Sequence, residues 1–281
     1  MTILRVYTLT FITMVAFAAN SIFCRFALKN TSIDPASFTS IRIISGAIAL
    51  WFLLKVRNRS SKTAGSWQSA LALFAYAACF SFAYVTLEAG TGALLLFGAV
   101  QVSMISYGIY SGERLTLRQG FGFILALGGL VWLMLPGVAA PSLIGSLLMI
   151  TAGIGWGIYS LRGRGAGDPA AVTTGNFILA VVPTIVLSGI FLKSSNFDKA
   201  GILLAILSGS LTSGCGYFIW YMALKGLKAT TASIVQLSVP IIAAIGGIMF
   251  LSETITIRLI ISSIATLGGI TMVVMEKGQN N

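Results

Sequence analysis

The polar side chains that could do chemistry in this sequence are few, and most lie inside long apolar runs. Gln101 and Gln236 are the longest neutral ones, each near the middle of its run. An amide both donates and accepts, so either can read a polar ligand or bond a neighbouring helix. Asn20 and Asn176 offer the same chemistry on shorter stems. Trp156 and Tyr159 form one aromatic group and Tyr217, Trp220 and Tyr221 another, with Tyr76, Tyr84 and Tyr107 beside them. Rings with a polar tip suit the wall of an amphiphile site, although they also populate membrane interfaces, where Trp220 and Tyr221 are expected. Arg42 lies about seven residues into its run, roughly 10 Å deep at 1.5 Å per residue. A charge at that depth is costly and is paired or functional. Arg42 is expected either to pair with Glu88 or Asp34 in a gate or to attract a ligand carboxylate. Arg25, nearer the end of its run, can snorkel to the surface or share that gate.

Other chemistries have little support. There is no histidine, and Cys24, Cys79 and Cys215 are isolated inside apolar runs, which gives neither metal-ligand spacing nor a disulfide framework. No nucleophile stands with a base, so no enzyme and no cofactor is expected. Gly163-x-Gly165-x-Gly167 lacks a preceding strand and a lysine-serine pair; it reads as a loop, not a phosphate cradle, and direct ATP-driven pumping is not expected. Glu113 and Glu253 sit at the ends of runs and are expected to be structural loop anchors. With no Asp, Glu or His in the middle of any run, a side-chain proton relay has no obvious members, and uniport or exchange stands beside proton coupling.

These residues are positioned by the apolar runs themselves. Of 281 residues, 57% are hydrophobic and 9% charged, with a mean hydropathy of +0.94. A soluble domain carries about 25% charged residues, so part of the solvent must be lipid. A membrane-crossing helix needs roughly 20 apolar residues. Ten fit: 6–28, 35–55, 68–87, 91–111, 117–135, 142–161, 172–192, 201–224, 229–251 and 256–275. The first contains Asn20 and Arg25 and no convincing cleavage site, so it reads as a retained helix and not a signal peptide. The net charge of +11 comes from basic residues flanking the runs, which argues against nucleic acid as a partner. With the N-terminus inside, twelve of them fall on the cytoplasmic side (Arg5, Lys55, Arg57, Arg59, Lys62, Arg114, Arg118, Arg162, Arg164, Lys225, Lys228, Lys277) and four opposite (Lys29, Lys193, Lys199, Arg258). An even number of spans with both termini cytoplasmic satisfies that bias.

The chain also repeats itself. Gly112-Glu113-Arg114-Leu115-Thr116 matches Ser252-Glu253-Thr254-Ile255-Thr256, 253 − 113 = 140 residues on, and Gly128-Gly129 falls on Gly268-Gly269 at the same offset. Asp34-Pro35-Ala36 matches Asp168-Pro169-Ala170, and Phe82-Ala83-Tyr84 matches Ile219-Trp220-Tyr221. Five spans separate the members of each pair, and five is odd, so the two halves, 1–138 and 139–281, are expected to be inverted copies. Inverted repeats are a mark of secondary transporters.

At these loops and glycine pairs, and at Phe38-x-x-x-Arg42 and the Asn20–Leu28 stretch, the sequence resembles the drug/metabolite transporter superfamily, specifically its ten-helix EamA-type exporters. The resemblance implies an all-α polytopic membrane protein that works by alternating access in a plasma membrane, a bacterial inner membrane. It implies a small-molecule substrate, an amino acid or related amphiphile, and a monomer or homodimer in lipid. Multidrug efflux, exchange of nucleotide sugars or phosphorylated metabolites, and a non-transporting scaffold or receptor are the alternatives. Asn20, Arg42, Tyr84, Gln101, Trp156, Tyr159, Asn176, Tyr217 and Gln236 are the candidate substrate contacts. Arg25, Glu88 and Pro240 are the candidate gate and hinge residues. Pro240 departs from the repeat, because Val100 stands at its place in the first half. A proline frees a carbonyl and bends a helix, so the fourth span is expected to bend less than the ninth.

Overall fold

The computed structural model describes residues 2–57, 62–112, 114–137, 139–163, 167–224, 226–227 and 229–277. Every regular element among them is helical. The first seven spans are α1 (Ile3–Asn30), α2 (Pro35–Arg57), α3 (Trp67–Tyr84), α4 (Ala89–Tyr110), α5 (Leu117–Met134), α6 (Leu143–Gly163) and α7 (Pro169–Ile190). The eighth is one continuous rod in three pieces: α8 (Lys199–Leu207), a π-helical segment (Ser208–Cys215) and α9 (Gly216–Leu224). The ninth is α10 (Ala229–Gln236) and α11 (Ser238–Leu251), and the tenth is α12 (Ile257–Lys277).

Among the described residues, nine helices are long and apolar enough to cross a membrane. The tenth span is α3, 18 residues long, whose Gln68, Ser69, Ser81, Tyr76 and Tyr84 dilute its apolar character. It lies against α6 and α7, and much of it is shielded by them. The outer helices show the reverse pattern: Leu117, Phe121, Ile124 and Val131 of α5 face outward, Leu117 at 96% exposure. Such a surface is stable only where its solvent is hydrocarbon. The protein is therefore a polytopic α-helical membrane protein.

The repeated motifs are helix starts. Asp34 Oδ1 accepts from the Ala36 and Ser37 amides, and Asp168 Oδ1 from the Ala170 amide, each followed by proline in the first turn. Both are N-caps built by one sequence rule. Thr116 caps α5 in a capping box with Gln119, and the Thr256 hydroxyl oxygen accepts from the Leu259 amide at the start of α12. Glu113 itself lies outside the described residues.

Packing repeats as well. The third span packs on the sixth as the eighth packs on the first; the fourth on the sixth as the ninth on the first; the second on the eighth as the seventh on the third. The second and seventh, fourth and ninth, and fifth and tenth spans each face their own counterpart. In the last of these pairs, a Cβ on Gly269 would lie 2.4 Å from the Gly122 carbonyl oxygen, and one on Gly122 2.7 Å from that of Gly269. The backbones of α5 and α12 approach this closely because no side chain intervenes. The centre of the bundle is α4, every residue of which from Ala89 to Gln101 is buried.

The ninth span breaks at Leu237, three residues before Pro240, where the proline ring would meet the carbonyl of Gln236 in an unbroken helix. Its counterpart α4 runs through the equivalent point without interruption.

Candidate functional site

The two halves meet around a cavity lined by Phe17, Asn20 and Ser21 of α1, Tyr76 and Phe80 of α3, Leu96 and Phe97 of α4, Trp156 of α6, Thr212 of the π segment and Tyr217 of α9. Its free space is about 20 Å³ for the centres of water-sized molecules, room for roughly one or two waters. The cavity is thus narrow.

Polar groups in and behind this wall form one network. Asn20 Oδ1 accepts from the Ser208 hydroxyl at 2.7 Å and the Thr212 hydroxyl at 3.1 Å. Asn20 Nδ2 donates to the Tyr76 hydroxyl oxygen at 3.3 Å, and Arg42 Nη2 donates to the same oxygen at 2.9 Å. Asn20 thereby joins the first half to the π segment of the second. A π-helix turns more widely than an α-helix and often marks a functional site. Here Gly209 admits the α2 backbone so closely that a Cβ on it would lie 2.1 Å from the Arg42 carbonyl oxygen. That approach sets Ser208 and Thr212 beside Asn20.

Arg42 is 1% exposed. Its guanidinium carbon lies 4.7 Å from the Phe80 ring centre and 5.2 Å from that of Tyr76, and Nη1 has no hydrogen-bond partner. The expected pairing with Glu88 or Asp34 does not occur. Asp34 is committed elsewhere: besides capping α2, its Oδ2 accepts from the Asn196 amide. Burial opposes its charge, but the bonds from Ser37, Asn196 and Ala36 hold its carboxyl below the usual range.

The remaining candidates divide clearly. Asn20, Trp156 and Tyr217 line the cavity, with ring centres of Trp156 and Tyr217 4.9 Å apart and those of Trp156 and Tyr76 5.0 Å apart. Tyr159 stands behind Trp156, 5.5 Å from it, outside the lining. Asn176 is a loop anchor: its Oδ1 accepts from the Ser66 amide at 2.9 Å. Tyr84 donates to the Ala89 carbonyl at 3.3 Å, bracing the start of α4. Gln101 is buried on α4 beyond Leu96 and Phe97, and Gln236 donates back to the Ala232 carbonyl of its own helix. Neither borders the cavity. Trp220 is 8% exposed and packs edge-on against Phe17, so it is not interfacial. Tyr76, named in the sequence only beside the other aromatic residues, and Phe80 and Thr212, not singled out there, also line the cavity, while Ser208, four residues before Thr212, bonds Asn20.

One end of the bundle is latched. Arg25 does not snorkel: its Nε meets Glu253 Oε1 at 3.1 Å, and its Nη1 donates to the carbonyls of Tyr84 and Val85. Glu253 Oε2 accepts from the Ala89 amide at 2.8 Å, and Lys29 Nζ donates to the Leu251 carbonyl. Ser252 reaches this geometry with φ of +53°. Glu88 makes no cap hydrogen bond. Burial, then the nearby Glu253, push its carboxyl above the usual range, while Arg25 and Lys29 pull the other way. The opposite end is tied by Arg57 to Asp168, by Arg162 to Gln68 and Ser69, and by the Ala64 amide to the Ala171 carbonyl.

A larger hollow of about 510 Å³ lies between α4, α5 and α6, but its lining is nearly all aliphatic, and the Ser103 hydroxyl there is bonded to Val100. Ser106 and Tyr107 are its other polar members, and all three polar residues come from α4, so it does not join the two halves through a polar network as the smaller cavity does.

The model of the EamA-like transporter family matches residues 4–135 and again residues 143–275. The chain belongs to the EamA-like transporter family. It is therefore a membrane transporter. A Pseudomonas aeruginosa protein called "Uncharacterized protein PA1977" is 51% identical over 274 residues, 97% of this chain and 96% of that one. An "Uncharacterized transporter" of Archaeoglobus fulgidus is 24% identical over 289 residues, 98% of this chain and 99% of its own. The Escherichia coli threonine/homoserine exporter RhtA is 36% identical over 142 residues, 47% of this chain and 46% of its own. A crystal structure 13% identical in sequence superposes with a TM-score of 0.67 over 98% of this chain and 99% of that one, so the fold is shared.

Proposed function

We propose that this EamA protein is a secondary transporter that exports small organic metabolites, amino acids or related amphiphiles, by alternating access. The observation that carries this reading is the cavity, enclosed by helices of both halves and furnished with Asn20, Tyr76, Thr212 and Tyr217 among rings. Rearranging two pseudo-equivalent units, 1–138 and 139–281, would open it to one side and then the other. Arg25 and Glu253 act as the latch at one end, and the break before Pro240 is a hinge. The partial likeness to the RhtA exporter supports both an amino-acid-like cargo and outward movement. The charge bias supports an orientation with both termini in the cytoplasm of a bacterial cell and the latch on the outer face. No catalytic step or cofactor enters this reading, and the unit is a monomer or homodimer in the inner membrane.

Purified protein in liposomes, screened with labelled amino acids and cationic dyes with and without a proton gradient, tests it. Counterflow of an amino acid is the expected result. Flux of the dyes alone would favour multidrug efflux. No flux of any compound by folded protein would leave a scaffold or receptor.

A further inference from the structure

Arg42 is a buried cation that no carboxylate among the described residues pairs with. Among the described residues, both ion pairs use other groups: Arg25 with Glu253 and Arg57 with Asp168. The titratable side chains nearest the guanidinium are Tyr76, Tyr217 and Cys24, none of them an acid of the carboxylate kind. A guanidinium has five N–H donors. In this structure Nη2 bonds Tyr76, while Nη1 is buried and bonds nothing. An uncompensated charge inside a membrane protein is kept only where something offsets its cost. Two ring faces offset part of it. The remainder calls for an anion that the described residues do not supply.

We infer that the transported compound supplies this anion: a small monocarboxylate whose apolar part lies among Trp156, Tyr217, Phe17 and Phe97, with cations lacking a carboxylate excluded. The inference rests on the transport reading and narrows its cargo. A single guanidinium matches one carboxylate; a phosphate dianion would need further basic groups, and Arg25 is already committed to Glu253. Phe80 and Tyr76 line the open space in front of Arg42, so the carboxylate reaches Nη1 as the narrow cavity widens.

The test is binding, read from intrinsic tryptophan fluorescence of the full-length protein in nanodiscs and compared among four probes. Phenylalanine and 3-phenylpropionate carry a carboxylate, whereas phenylalaninamide and phenethylamine do not. The carboxylates should bind about ten- to a hundredfold more tightly, the usual worth of a hydrogen bond to a charged group. Arg42→Gln should abolish that preference, and Arg42→Lys, which keeps the charge, should retain part of it in a folded protein. Equal binding of all four, binding of none, or an unchanged preference in Arg42→Gln would overturn the inference. Selective binding without flux in liposomes would instead sink the transport reading and leave the anion site standing.

Discussion

Tyr76 holds its hydroxyl oxygen between two buried donors, Arg42 Nη2 and Asn20 Nδ2. Replacing it with phenylalanine keeps the ring packing on Phe80 and Trp156 but leaves both donors without that acceptor. An unsatisfied buried donor costs about 1–3 kcal/mol, more than the ~0.6 kcal/mol average of an interhelical hydrogen bond in a membrane. Tyr76→Phe should therefore lose at least 1 kcal/mol in a reversible detergent-unfolding measurement. A loss near the interhelical average would mean that the network is wet or slack.

At the scale of elements, the paired glycines of α5 and α12 are not equal partners. A Cβ on Gly129 would fall 2.5 Å from Thr266 Oγ1 and one on Gly269 2.4 Å from the Gly122 carbonyl, while Gly128 and Gly268 have nothing within 4 Å. Gly269→Ala should separate the two helices and lower thermal stability, and Gly268→Ala should be neutral or raise it slightly, by up to about 1 kcal/mol from helix propensity. The π segment follows the same logic. Its Gly209 also faces backbone, and more closely, with a Cβ 2.1 Å from the Arg42 carbonyl oxygen against 2.4 Å at Gly269, so Gly209→Ala should be at least as damaging as Gly269→Ala. Equal melting temperatures for the Gly268 and Gly269 variants would contradict this packing.

For the molecule as a whole, the Arg25–Glu253 latch decides whether one end opens. Cys24 is fully buried beside it and serves as a reporter. Glu253→Gln should speed modification of Cys24 by a membrane-impermeant thiol reagent added on the latched side, and a double Arg25→Gln, Glu253→Gln variant should show no further increase. Additive effects would mean that the two residues act separately. Glu88 makes the latch sensitive to pH. Its carboxyl is raised by burial and by Glu253, against the pull of Arg25 and Lys29, so the latched form binds the proton more tightly than an opened, hydrated one. The latched form should gain as pH falls through the range just above that of an ordinary glutamate. Cys24 modification should slow there, and Glu88→Gln should remove the dependence.

Composition and periodicity alone were enough for the helical membrane class, because hydrocarbon imposes one rule on every span: satisfy the backbone internally and expose apolar side chains. The repeat was equally legible, since Asp34 and Asp168, or Thr116 and Thr256, mark helix starts through bonds to amides only two or three residues away. Local chemistry of that kind is written in order along the chain. The site was legible only in part. Asn20, Trp156 and Tyr217, which line the cavity, and the depth of Arg42 could be read from residue type, but a ranking by polarity also promoted Gln101, Gln236 and Asn176, which lie outside the lining. What Arg42 meets depends on α3, the cavity on six separate elements, and the Arg25 pairing on a glutamate 228 positions away. Such contacts are set by helix rotation and by close backbone approaches at Gly209, Gly122 and Gly269, quantities that emerge only when all the spans pack together.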